Sequence, residues 1–173
     1  DIGARLGSDV PFALFGSNAI GRGRGEKIMP VLGRGQFHWV FALADEGLST
    51  PAVYRQCDTL REGEQIRAPE VSDALLHALR QGDANALAAA LHNDLQPAAI
   101  SLRPSLRSLL EAGVEYGALA GVVSGSGPTC AFLCRDSAHS IDVAVAMTAT
   151  GMCRTVKRAI GPAPGARVVT ATG

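Results

Sequence analysis

The sequence predicts an α+β fold, a sandwich in which helices lie against an antiparallel sheet. Three observations carry that expectation. The stretch "FHWVFALAD" (37–45) is almost continuously apolar, as a strand covered on both faces should be. Between 70 and 112, leucines recur at helical spacing behind residues that cap helices. After them, 117–123 and 129–134 read as a hairpin, followed by a helix and further strands, an order that allows antiparallel pairing.

Taken in order, "DIGARL" at the start reads as helical. Residues 12–31 carry short apolar stretches punctuated by glycine, and Gly21, Gly23 and Gly25 suit a hairpin turn that needs positive φ. Their spacing is not that of a dinucleotide-binding loop, and no helix follows them. In "STPAVYRQCDTL" (49–60), Ser49 or Thr50 can cap a helix with Pro51 in its first turn. Val71, Leu75 and Leu79 make one helical stripe, and Leu87, Leu91 and Leu95, behind Asp83 as cap, make another over 83–95. Pro104 opens a further helix, with Leu106, Leu109 and Leu110 inside and Gly113 as its stop. Residues 137–150 alternate like a strand yet also fit a helix ending at Gly151; helix is the prediction. "CRTVKRAI" and "ARVVTA" are predicted strands, with "GPAPG" as the turn between them.

Composition narrows the function. With 173 residues, 47% of them hydrophobic and 18% charged, the chain can bury a core. Its formal net charge of zero argues against nucleic acid or an anionic membrane as main partner. No apolar run has the length to span a bilayer and no signal peptide is present, so a soluble cytoplasmic protein is expected. Cys57, Cys130, Cys134 and Cys153 form no C-x-x-C pair, and buried free thiols are the simpler expectation than a metal site. The histidines are scattered and receive no role.

Three places can carry chemistry. In "LGSDVPF" (6–12), Asp9 could accept a proton, hold Mg²⁺ or cap a helix, since Asp before Val-Pro is common turn chemistry. In "SGSGPT" (124–129), glycines let successive amides point at one spot and the serines add hydroxyl donors, which suits an anion; a tight hairpin without ligand explains the same residues. Thr50 and Tyr54 share a helix face, so the ring could stack on a flat ligand, or it could simply be core.

"LGSDVPF", "GRGRGE", "STPAVY", "HNDLQ" and "SGSGPTCAFL", in this order and spacing, resemble the second half of the GHMP small-molecule kinases. The resemblance implies a ferredoxin-like antiparallel sheet with helices packed on one side over residues 36–173, preceded in 1–35 by the tail of an ATP-binding catalytic domain. It implies transfer of a phosphoryl group from ATP, with Mg²⁺, to a small-molecule alcohol. The nearest branch acts on the 2-hydroxyl of a cytidine diphosphate methylerythritol in non-mevalonate isoprenoid synthesis. Asp9 then falls on the catalytic aspartate. Thr50 and Tyr54 fall on the cytidine pocket, and Ser124, Gly125, Ser126 and Gly127 on the glycine-rich loop beside the phosphates. Other members, of homoserine or mevalonate type, and a non-catalytic binding domain of the same architecture are the alternatives. The family's Pro-x-x-x-Gly-Leu-Gly-Ser-Ser-Ala loop and its N-terminal lysine do not occur in these residues. The chain is therefore expected to be a fragment, inactive alone, and a monomer or weak homodimer.

Overall fold

The computed structural model describes residues 2–66 and 68–169. Two short helices, α1 (Ile2–Leu6) and α2 (Val10–Phe15), open the chain. The hairpin β1 (Ala19–Arg22) and β2 (Lys27–Pro30) follows, with Arg22 opposite Lys27 and positive φ at Gly23 and Gly25 as the glycine spacing requires.

Four strands form the main sheet: β3 (Phe37–Leu43), β4 (Ala120–Val123), β5 (Cys130–Cys134) and β6 (Thr155–Gly161). All pairings are antiparallel, and the spatial order is β4-β5-β3-β6. The first and third of these strands are thus central, the order of a ferredoxin-like β-α-β-β-α-β unit. Between β3 and β4 lie five helices: α3 (Thr50–Leu60), α4 (Asp73–Gln81), α5 (Ala84–Ala90), α6 (Gln96–Leu102) and α7 (Ser105–Glu115). The helix α8 (Ser137–Ala149) joins β5 to β6, so 137–150 is helical as predicted.

Strand periodicity divides the core between the two faces. Val40, Ala42, Cys130, Phe132 and Cys134 face Val53 of α3, Leu106, Leu109 and Leu110 of α7, and Val143 and Met147 of α8. Phe37 and Leu133 point the other way, against Ala78 of α4 and Leu87 of α5. The main helical layer lies on one side of the sheet, and α4 with α5 adds a smaller cover on the other.

Several details depart from the sequence expectation. The predicted helix over 83–95 ends at Ala90, because Leu91 is extended (φ −65°, ψ 128°). Leu87 and Leu91 belong to the cluster on one face of the sheet and Leu95 to the cluster on the other. One straight helix could not serve both, so the chain breaks and restarts as α6, a helix the leucine spacing did not reveal. Gly113 is not a stop. It lies buried inside α7, where a Cβ would fall within the ring of Phe132; the helix instead ends at Glu115, and Gly117 (φ 100°) follows the cap Tyr116, with Ala118 N–H bonded to Gly113 O. Residues 166–169 of the predicted last strand form no regular element, and Thr170 and Ala171 lie outside the described residues. What ties this end down is Ala166 N–H donating to Ala13 O, beside a single bridge between Gly16 and Pro164.

The four cysteines are free thiols, three of them buried. Burial pushes the Cys130 thiol up to about 12 and that of Cys134 to about 11. Among the described residues no helix is long and apolar enough to cross a membrane.

The contact of Gly113 with Phe132 is directly testable. Gly113→Ala should lower unfolding stability by about 1–3 kcal/mol through overpacking. Gly47→Ala, where a Cβ meets nothing within 4 Å, should leave it within about 0.5 kcal/mol. Urea unfolding midpoints check both, and equal effects would contradict the packing.

Candidate functional site

The connection between β4 and β5 is built as a tight turn inside a wider loop. Ser124 N–H donates to Thr129 O (2.8 Å), which closes the base of the loop, and Gly127 N–H donates to Ser124 O (2.9 Å). That second bond makes Gly125 and Ser126 the central residues of a β-turn. Only Gly125 of the two has positive φ (57°), the pattern of a type II′ turn, whose first central residue is normally glycine. Gly127 also has positive φ (79°), and a Cβ there would meet Val123 Cγ1 at 3.0 Å, with Leu48 and Ala99 just behind. Both glycines are therefore required by backbone geometry and close approach.

Three neighbouring segments hold this turn. Thr50 stands at the first position of α3, and its hydroxyl shares a hydrogen bond of 2.8 Å with the hydroxyl of Ser126. The loop between α5 and α6 contributes Asn93, whose amide Nδ2 donates to both Val123 O and Gly125 O at 2.7 Å. Gln96, the first residue of α6, accepts from Val123 N–H at 2.8 Å. Asn93 is itself fixed, since its Oδ1 accepts from Leu95 N–H. Next to it, Asp94 is paired with His92 (3.0 Å) and with Arg61 of α3 (3.2 Å). The His92 hydrogen bond, with Arg61 behind it, holds the Asp94 carboxyl below its ordinary range.

Of the sequence-predicted residues, Thr50 and Ser124–Gly127 come together at this joint. Tyr54 lies one turn further along α3, on the same face as Thr50. Its ring is 55% exposed, so it is not core. An exposed aromatic ring beside a cluster of hydroxyls and free amides can stack a flat group and bind the polar chain attached to it.

Asp9 lies elsewhere in the contact network. It precedes α2 in the N-cap position, yet its side chain makes no capping bond, so the cap explanation does not describe it. The carboxylate is exposed and forms no hydrogen bond or ion pair among the described residues. Its neighbour Ser8 packs against the β1–β2 turn, where Ser8 O is 3.6 Å from the position of a Cβ on Gly25. That turn also lines a cavity of about 660 Å³ with Pro69, Glu70 and Val71. The opposite end of α2 is held by the Gly161–Pro164 segment, through Ser17 N–H bonded to Ala163 O. No hydrogen bond joins Asp9 to Thr50 or to the Ser124–Gly127 turn.

Sequence reasoning singled out "HNDLQ" but assigned its residues nothing. Asn93 and Gln96 are the polar groups that organise the turn. Their spacing around a helix start was the available signal, hidden by the leucine stripe that seemed to run through it.

Residues 75–151 match the family described as GHMP kinases C terminal. Over that stretch the chain is similar to the GHMP kinase C-terminal domain. The matched stretch includes Asn93, Gln96 and Ser124–Gly127 and leaves Asp9, Thr50 and Tyr54 outside it. Relatives extend the likeness over nearly the whole chain. A 4-diphosphocytidyl-2-C-methyl-D-erythritol kinase of Rhodococcus jostii is 57% identical over 167 residues, covering 96% of this chain and 53% of the relative. One of Streptomyces avermitilis is 59% identical over 169 residues, covering 98% and 57%. The crystal structure of a 4-(cytidine 5'-diphospho)-2C-methyl-D-erythritol kinase superposes with a TM-score of 0.74 at 27% identity, over 92% of this chain and 56% of that one. The chain thus spans a little over half the length of the relatives it matches.

A double-mutant cycle tests the joint at its centre. Thr50→Val and Ser126→Ala should show a coupling of about 0.5–1 kcal/mol in unfolding free energy. Additive effects would mean that the two hydroxyls do not form a stabilising pair in solution.

Proposed function

We propose that this chain works as the C-terminal half of a cytoplasmic, ATP-dependent GHMP kinase that phosphorylates the 2-hydroxyl of 4-diphosphocytidyl-2-C-methyl-D-erythritol. Residues 1–35 then belong to the end of the catalytic domain and 36–173 to the C-terminal domain. The observation that carries the proposal is the joint of Thr50 with Ser126, with Tyr54 exposed beside it. Such a joint suits a ligand with a flat ring at one end and anionic groups next to it. The names borne by relatives more than half identical to this chain supply the same ligand.

In this scheme Tyr54 stacks on the cytosine ring, which by analogy with base stacking on aromatic side chains contributes about 1–3 kcal/mol. Thr50 lines the same pocket. The Ser124–Gly127 turn lies beside the phosphates. The substrate is long, with its diphosphate between base and reacting alcohol, so base pocket and acceptor need not touch. Asp9 takes the acceptor end.

An aspartate with a solution pKa of roughly 3.9 is a weak base for an alcohol. In a loose, metaphosphate-like transition state, however, the nucleophile loses its proton late. Asp9 then orients the hydroxyl and takes its proton as the new P–O bond forms and the bond to the ADP oxygen breaks. Binding energy from the distant cytidine end holds the hydroxyl in place for that step. Among the described residues, no three His, Cys, Asp or Glu side chains stand together; Mg²⁺ beside a nucleotide would need only one or two carboxylates in addition to phosphate oxygens.

The experiment is Asp9→Asn in a chain of the length of the curated relatives, assayed for ATP-dependent phosphorylation of the cytidylyl substrate. Turnover should fall by about 100-fold or more, with KM for that substrate within about twofold. Wild-type protein without this activity would refute the function. An active Asp9→Asn protein would remove Asp9 from the chemistry.

A further inference from the structure

Among the described residues, the Asn93 amide group is the one side-chain group that bonds two carbonyls at the β4–β5 connection, that of Val123 at the end of β4 and that of Gly125 in the turn, and this hold has a consequence for the amides of the turn. Nδ2 has two hydrogens, and it donates to Val123 O and Gly125 O, both at 2.7 Å. The peptide joining Gly125 to Ser126 is trans, as the cis bonds among the described residues are those preceding Pro128 and Pro162. In a trans peptide the C=O and the N–H point to opposite sides of the chain. Drawing Gly125 O toward Asn93 therefore turns Ser126 N–H away from the protein. That N–H donates to no acceptor among the described residues, and the neighbouring Gly125 N–H is likewise free of one.

The contrast within the same turn is informative. Ser124 N–H and Gly127 N–H are both satisfied internally, by Thr129 O and Ser124 O. The turn thus spends two amides on its own closure and presents two. The Ser126 hydroxyl, bonded to Thr50, lies on the residue that presents one of them. Two amides without an internal acceptor, beside a hydroxyl, make a donor set suited to an anionic oxygen. The type II′ backbone already favours this facing, since a flipped central peptide would force positive φ on Ser126, and the Asn93 amide locks it by holding Gly125 O.

We propose that Asn93 is a positioning residue that aims the Ser126 amide at an anionic group of the ligand, a diphosphate oxygen. It touches no reacting atom and acts through the orientation of one peptide plane. The proposal rests on the functional reading above, for which it specifies how the turn acquires its anion affinity.

The test uses a chain of the length of the curated relatives, with cytidine 5'-diphosphate and cytidine as separate probes followed by amide chemical shifts. In wild-type protein, Ser126 N–H should exchange rapidly with solvent while Ser124 N–H is protected, and cytidine 5'-diphosphate should move the Ser126 resonance. Asn93→Ala should weaken cytidine 5'-diphosphate by about tenfold, the worth of roughly one good hydrogen bond to a charged group, while cytidine affinity changes less than twofold. If Asn93→Ala bound the diphosphate as tightly as wild type, the positioning role would be wrong and the functional reading would stand. If wild-type protein bound neither probe, the functional reading would fall and the inference with it. Should Asn93→Ala fail to fold, the exchange rates of the wild-type protein still decide: a Ser126 amide as protected as that of Ser124 overturns the proposal.

Discussion

The ring of Phe132 sets the spacing on which the rest of the structure depends. It is fully buried in β5, and two glycines give it room, Gly113 in α7 and Gly121 in β4. A Cβ on Gly121 would sit 2.8 Å from the ring, and one on Gly113 would overlap it. The aromatic side chain thus lets a helix and an edge strand approach more closely than ordinary side chains permit. That approach fixes where β4 ends, and β4 ends at Val123, the residue from which the serine–glycine turn departs. Apolar packing and the polar site meet within one residue.

Much of the sheet and of the helical layer could be read from the sequence because burial leaves a periodic trace. β3 is apolar except for His38 since both faces are covered, and α4 carries Leu75 and Leu79 of its predicted stripe, while Val71 lies before its first residue. The failures share a cause. The leucines at 87, 91 and 95 keep a helical spacing although they serve opposite faces of the sheet, and spacing along a chain carries no record of a change of side. Gly113 reads as a stop because glycine usually is one past a helical run. Only the position of Phe132, nineteen residues further along, explains why it sits inside.

The candidate site was legible in its residue types and less so in its wiring. Gly125, Gly127, Ser126 and Thr50 stand together around one turn. Asn93 was invisible as an organiser, because a side chain that reaches across to backbone carbonyls leaves no periodic mark. Asp9 is a carboxylate without a partner among the described residues, which distinguishes it from Asp83 and Asp136, both used in capping helices.

We propose that a helix start carrying Thr50 and Tyr54, joined to a turn with two amides that have no acceptor among the described residues, forms one binding surface for a base and its phosphates, and the kinase scheme follows from that proposal. The most direct measurement is a crystal structure of the chain with cytidine 5'-diphosphate bound. The base should lie on the Tyr54 ring, with a phosphate oxygen within hydrogen-bond distance of Ser126 N–H. A nucleotide seated away from both residues, in the cavity beside the β1–β2 turn for instance, would contradict it.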